Sequence, residues 1–93
     1  MRHTYDIKVS DRAPRSEGAG PRELGFSFES HDDLFEIVER VKAKALFATD
    51  DETKAFCLGL KLLGGVLIAH RDEEMFKDFA SAFGGFMKTL KAR

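Results

Sequence analysis

The sequence predicts an α+β fold in the order β-β-α-α-α, with a two-stranded antiparallel ribbon packed on three helices. Three observations carry that reading. Two short stretches near the start alternate apolar and polar residues with a period of two, and three later stretches repeat apolar residues at three- and four-residue steps. The third observation is the run from Ala55 to Ala69, AFCLGLKLLGGVLIA, which is broken only by Lys61. In a chain of 93 residues, a segment this apolar is expected to be the helix that the other elements wrap around.

Taken in order, Tyr5, Ile7 and Val9 alternate with Thr4, Asp6 and Lys8, which predicts a strand over about residues 3–9. Leu24, Phe26 and Phe28 repeat the pattern against Gly25, Ser27 and Glu29, for a second strand over about 24–29. Between them, residues 10–23 contain Pro14, Gly18, Gly20 and Pro21, whose fixed or permissive backbones punctuate structure, so a long loop is expected there, disordered in solution.

The first helix is predicted over about 31–46. Ser30 is placed to accept from the amide three residues on, with Asp33 in the first turn, and Leu34, Ile37, Val38, Val41 and Ala45 form one apolar stripe. The second is predicted over about 50–70, because Thr49 followed by Asp50, Asp51 and Glu52 has the spacing of a capping box. Its polar stripe is little more than Lys54 and Lys61, so it should be covered on most sides. The third is predicted over about 73–91, with acids at its start and Lys88, Lys91 and Arg93 at its finish. Phe76, Phe79, Phe83, Phe86 and Leu90 share one of its faces and are read as core.

Composition bounds the answer. A chain of 93 residues that is 43% hydrophobic, with nine Phe and no Trp, suits one small domain spanning residues 1–93. The opening MRHTYDIKVS carries charges and lacks an apolar block, so neither a signal peptide nor a membrane anchor is expected. The apolar run at 55–69 falls short of the roughly 20 residues a spanning helix needs, so no membrane association is expected. Cys57 is the single cysteine, which excludes a disulfide within the chain and suits a reducing cytoplasm. Flanked by Phe56 and Leu58, it reads as a buried, inert thiol. Fifteen Lys and Arg against 16 Asp and Glu, evenly mixed, give no basic face for nucleic acid.

Groups able to do chemistry are sparse and scattered. His3, His31 and His70 have no second ligand at metal spacing. Asp32 and Asp33, like Asp50, Asp51 and Glu52, fall where acids ordinarily complement a helix dipole. The glycine pairs Gly64-Gly65 and Gly84-Gly85 cost about 1 kcal/mol per residue relative to alanine inside a helix, which calls for a reason. Close approach of two helix backbones, or a kink, supplies one. Gly59 and Gly64 do not make a phosphate loop, since neither a preceding strand nor a following Lys-Ser or Lys-Thr is present. No catalytic, cofactor-binding or metal-ligating residue is therefore assigned, and no cofactor is expected.

The blocks MRHTYDI at the start, SHDDLFEIV at residues 30–38, GLKL at 59–62 and FMKTLK at 86–91 occur together and in order. In them the chain resembles a family of small bacterial proteins known as domain of unknown function 3861. The resemblance implies a bacterial, cytoplasmic, single-domain protein and carries over no functional residue.

From the residues themselves, the expectation is a non-enzymatic interaction module that self-associates through a ribbon edge or a residual apolar patch on the second or third helix, with its other apolar residues consumed by its own core. The alternative is a small-molecule binder or minor enzyme with a pocket between ribbon and helices, floored by Phe26 or Phe28.

Overall fold

The computed structural model describes residues 2–12 and 22–93, in two compact units, Met1–Asp33 and Leu34–Arg93. The element order is β-β-α-α-α, an α+β fold with one two-stranded sheet followed by three helices.

In the first unit, β1 (His3–Asp11) pairs with β2 (Arg22–Ser30) in antiparallel register. Because side chains alternate across a strand, that register decides the composition of each face. Tyr5 stands opposite Phe28, Ile7 opposite Phe26 and Val9 opposite Leu24, so the middle of one face is apolar, bounded at its ends by His3 opposite Ser30 and Asp11 opposite Arg22. The other carries Thr4 opposite Glu29, Asp6 opposite Ser27 and Lys8 opposite Gly25. On this polar face the Ser27 hydroxyl donates to Asp6 Oδ1 at 2.5 Å. Ion pairs clasp the ribbon at intervals, Arg2 to Glu29 at 2.8 Å and Lys8 to Glu23 at 3.2 Å.

Both strands run further than the apolar alternation indicates. The added pairs are Ser10 with Glu23 and Asp11 with Arg22, the latter joined by an ion pair at 2.8 Å. Backbone bonds and a charge pair continue the ladder where no apolar residue marks it. The ends of the expected loop over 10–23 are thus strand, and residues 13–21 of it lie outside the described residues.

The second unit holds α1 (Leu34–Ala43), α2 (Asp50–Ala69) and α3 (Lys77–Ala92). α1 is shorter than the expected 31–46 at both ends. Ser30 Oγ accepts from the Asp32 amide at 3.1 Å, two residues on, which shapes a turn instead of capping a helix. At the other end, amides of Lys44 and Ala45 bond the carbonyls of Val41 and Lys42 at 3.0 and 3.1 Å. Ala45 has φ of 54°, the left-handed conformation that commonly stops a helix and that glycine adopts more cheaply. It therefore leaves the apolar stripe to which the spacing assigns it.

α2 begins as the capping signal indicates. Thr49 Oγ1 accepts from the Glu52 amide at 3.2 Å, with Asp50, Asp51 and Glu52 in the first turn. It closes at His70, whose amide bonds the Val66 carbonyl at 3.1 Å. Successive turns follow: Glu73 bonds back to His70 and Phe76 to Glu73, each at 3.0 Å, before α3 starts. The acids Asp72, Glu73 and Glu74 consequently belong to this connection and not to the first turn of the third helix, which holds Asp78. His70 Nδ1 pairs with Glu73 Oε2 across the connection, so that acid supports a turn.

Within the helical unit, Val41, Thr53, Cys57, Leu67 and Leu90 are buried, and the Thr53 hydroxyl is satisfied by the Thr49 carbonyl at 3.3 Å. Around them the aromatic rings join the helices: Phe47 meets Phe56 with centroids 4.9 Å apart, and Phe56 meets Phe86 edge-on at 6.1 Å. Lys44 Nζ donates to the Arg93 carbonyl at 2.7 Å, tying the end of α1 to the end of α3.

The expectation that the core consumes the apolar residues is not met. Phe35 is 74% exposed, Ile68 68%, and Phe79 and Phe86 about half. Of the five-residue stripe on α3, Leu90 alone is buried, with Phe76 and Phe83 half-buried. A stripe defines which side chains share a face; how much partner surface lies against that face is set by the number of neighbouring elements.

Two changes at helix ends should move stability in opposite directions. Thr49→Ala removes the cap of α2 and is expected to cost about 1 kcal/mol. Ala45→Gly relieves the left-handed alanine and is expected to add about 1 kcal/mol. Urea midpoints at constant slope measure both.

Candidate functional site

The residues with chemical potential are spread through the fold. His3 lies on β1, its ring stacked on Tyr5 with centroids 5.9 Å apart. His31 is exposed just after β2. His70 closes α2, engaged by Glu73 and lying 5.7 Å from the Phe76 ring. Among the described residues, no group of three or more His, Cys, Asp or Glu side chains converges to hold a metal ion. Asp32 presents its carbonyl to the Tyr5 hydroxyl at 3.2 Å, anchoring the end of the ribbon to its start. Asp50 meets Lys42 at 3.4 Å, an exposed ion pair between α1 and α2. Each of these roles is structural.

Cys57 is 1% exposed at the centre of the helical unit. Burial pushes its thiol above the ordinary range by penalising the thiolate. Since thiolate is the nucleophilic form, the same burial that makes Cys57 a packing group also makes it unreactive.

The helical glycines divide into two kinds. A Cβ at Gly64 would touch the Phe83 ring at 3.4 Å, so this position is where α3 lays an aromatic ring against the bare backbone of α2. The contact is between a side chain and a backbone at van der Waals distance, not the approach of two backbones expected of the glycine pairs. Gly59, Gly65, Gly84 and Gly85 differ, because a Cβ at any of them would meet nothing within 4 Å. Close packing within the chain does not account for these four.

Two surfaces remain. The first is the apolar face of the ribbon, where Val9, Leu24 and Phe26 are 52%, 59% and 45% exposed and Tyr5, Ile7 and Phe28 half-buried. Its hollow of about 550 Å³ is bordered by Asp6, Lys8 and Ser27 from one side of the sheet and Ile7, Leu24 and Phe26 from the other, so it wraps an open ribbon and encloses nothing. The second is a groove of about 280 Å³ between α2 and α3. Gly64, Leu67 and Ile68 face it from one side at the spacing of a single helical face, followed by Arg71 in the turn after α2, and Phe83, Gly84 and Met87 face it from the other. Sequence reading passes over this groove, although the stripe followed by Arg71 is visible in it. No helix is long and apolar enough to cross a membrane among the described residues.

Residues 3–92 match a family described as a domain of unknown function with a solved structure. Among solved structures, the chain is similar to a protein of unknown function from Pectobacterium atrosepticum, at 39% identity and a TM-score of 0.86, with 100% of both chains covered. No curated protein matches it.

Burial of Cys57 has two measurable consequences. A thiol reagent should label the native protein on the order of 10³-fold more slowly than the urea-unfolded chain, because access requires unfolding. The raised thiol pKa means the native state keeps a proton that the unfolded state releases above about pH 8.5. Stability should therefore be level with respect to this group below that pH and fall as pH rises past it. Urea titrations at pH 7 and pH 9.5 should show a decline that is smaller in Cys57→Ala.

Proposed function

The chain belongs to the family known as domain of unknown function 3861, and from that premise we propose that it is a non-enzymatic interaction module that self-associates as a homodimer through its ribbon. The apolar ribbon face carries this reading. Six large side chains stand there in three cross-strand pairs, and the three at the loop-side end are about half exposed or more. A monomer seldom leaves so continuous an apolar patch in water unless something covers it. A two-stranded ribbon is, moreover, marginal by itself and gains stability when its apolar face is buried.

A second copy is the simplest cover. Two identical ribbons can meet face to face about a two-fold axis, each burying the patch that the other buries. Each strand also pairs on one side only within its sheet, so an outer edge with free amides and carbonyls is available to lengthen the sheet across the axis. The flanking charges suit such an arrangement, because Arg2, Lys8 and Arg22 are engaged by Glu29, Glu23 and Asp11 on their own ribbon and impose no net repulsion.

The activity tested here is association. Sedimentation equilibrium should give the mass of a dimer at tens of micromolar, and Phe26→Glu, which places a charge in the centre of the patch, should shift it to monomer with the helical far-ultraviolet signal retained. A monomer at high micromolar concentration in the unsubstituted protein would overturn the proposal.

A further inference from the structure

We propose that the groove between α2 and α3 is a binding site for a straight-chain aliphatic carboxylate, the chain lying along Ile68, Phe83 and Met87 and the carboxylate paired with Arg71. This site lies in the helical unit and does not depend on association through the ribbon.

Its size selects the ligand class. The α2 side of the groove runs from Gly64 to the helix end at Ala69, five residues and about 7.5 Å, with Arg71 in the turn just beyond, so a chain of roughly six methylenes spans its apolar part. A volume of about 280 Å³ lies just under the usual range for small-molecule pockets and leaves no room for a helix, whose diameter with side chains is about 10–12 Å. The lining is apolar apart from one group: Leu67 is buried, Phe83 and Met87 are half-buried, and Ile68 is exposed.

The charge selects the head group. Among the described residues Arg71 is the one charged residue bordering the groove, in the turn that follows α2. It is exposed and has no carboxylate partner among the described residues. Of the acids that follow it, Glu73 pairs with His70 and Glu74 with Lys77 at 3.6 Å, and Asp72 is exposed and forms no ion pair with Arg71 among the described residues. A guanidinium left free beside an apolar channel presents a planar fork of donors matched to a carboxylate. An apolar chain ending in one anionic group satisfies both features together.

The glycines fit the same occupant. Gly84 borders the groove with nothing within 4 Å of where its Cβ would stand. A Cβ there would strike nothing in the protein, so a larger residue could be placed at the border of the groove without a clash, and glycine leaves that border bare at the cost in helix stability it imposes.

Isothermal titration with sodium octanoate, 1-octanol and octylammonium separates the contributions. Octanoate is expected to bind most tightly and octylammonium least. Shortening octanoate to hexanoate should weaken binding about two- to four-fold per methylene. Gly84→Leu, which sets a large side chain at the border of the groove, should keep or raise the melting temperature and abolish octanoate binding. Arg71→Gln, at an exposed position that the fold does not use, should lower affinity for octanoate about ten-fold and leave 1-octanol unchanged. Three results would overturn the proposal: no heat from octanoate at 10 mM or so, equal binding to Gly84→Leu, or equal loss of octanoate and octanol in Arg71→Gln. If Gly84→Leu instead changes the sedimentation mass without affecting octanoate, the groove is a contact between copies and the ligand assignment fails, while the ribbon proposal is judged separately by Phe26→Glu.

Discussion

α2 carries apolar side chains around most of its circumference, and within its unit two other helices flank it. Their surfaces suffice to bury Thr53, Cys57 and Leu67 on one stripe. They do not reach around to Leu63, Val66 and Ile68, which stay 41–68% exposed. This shortage of covering surface follows from chain length, since a small domain buries a smaller fraction of its surface than a large one. It sets the character of the whole molecule: a thin, well-ordered core, with sizeable apolar areas left outside.

The interior that does form is held by a few contacts that depend on one another. The Phe83 ring lies over Gly64 of α2, where a Cβ would touch it at van der Waals distance, and Phe56 links Phe47 on one side to Phe86 on the other. Cys57 sits among them as a small apolar group whose thiol is kept protonated by its surroundings. The surface ion pairs add little by comparison, as exposed pairs typically contribute under about 1 kcal/mol each. The ribbon has its own logic, in which one face concentrates the aromatic and aliphatic side chains, with the Asp11–Arg22 pair at its end, and the other takes Asp6, Lys8, Glu23 and Glu29. Apolar surface is left over in both units, and it is on this surface that the two proposals of association and ligand binding rest.

The element types were legible in the residues, and for clear reasons. Period-two alternation at Tyr5, Ile7 and Val9 is a local property of the pleat, as the capping hydroxyl of Thr49 is a local property of a helix start, and both are found where the pattern puts them. The boundaries were less legible. Asp11 and Arg22 extend the ladder through backbone bonds and an ion pair, neither of which has an apolar signature. Ser30 has the sequence signature of a cap but shapes a turn, because a hydroxyl that accepts from two residues on and one that accepts from three residues on look alike in sequence. Asp72 to Glu74 look like the acidic first turn of a helix, yet the Glu73 side chain is drawn to His70 and the segment forms turns.

By itself, then, the sequence determined the order of elements, the apolar face of each, the start of α2 and the inertness of Cys57, because each depends on residues near one another along the chain. Tertiary structure alone decided how much of each apolar face is covered, which glycine is packed and which stand open, and that Arg71 borders an apolar groove with no carboxylate partner among the described residues. Those depend on which surfaces meet across the fold. Periodicity along one helix carries no information about the area that a neighbouring helix presents to it.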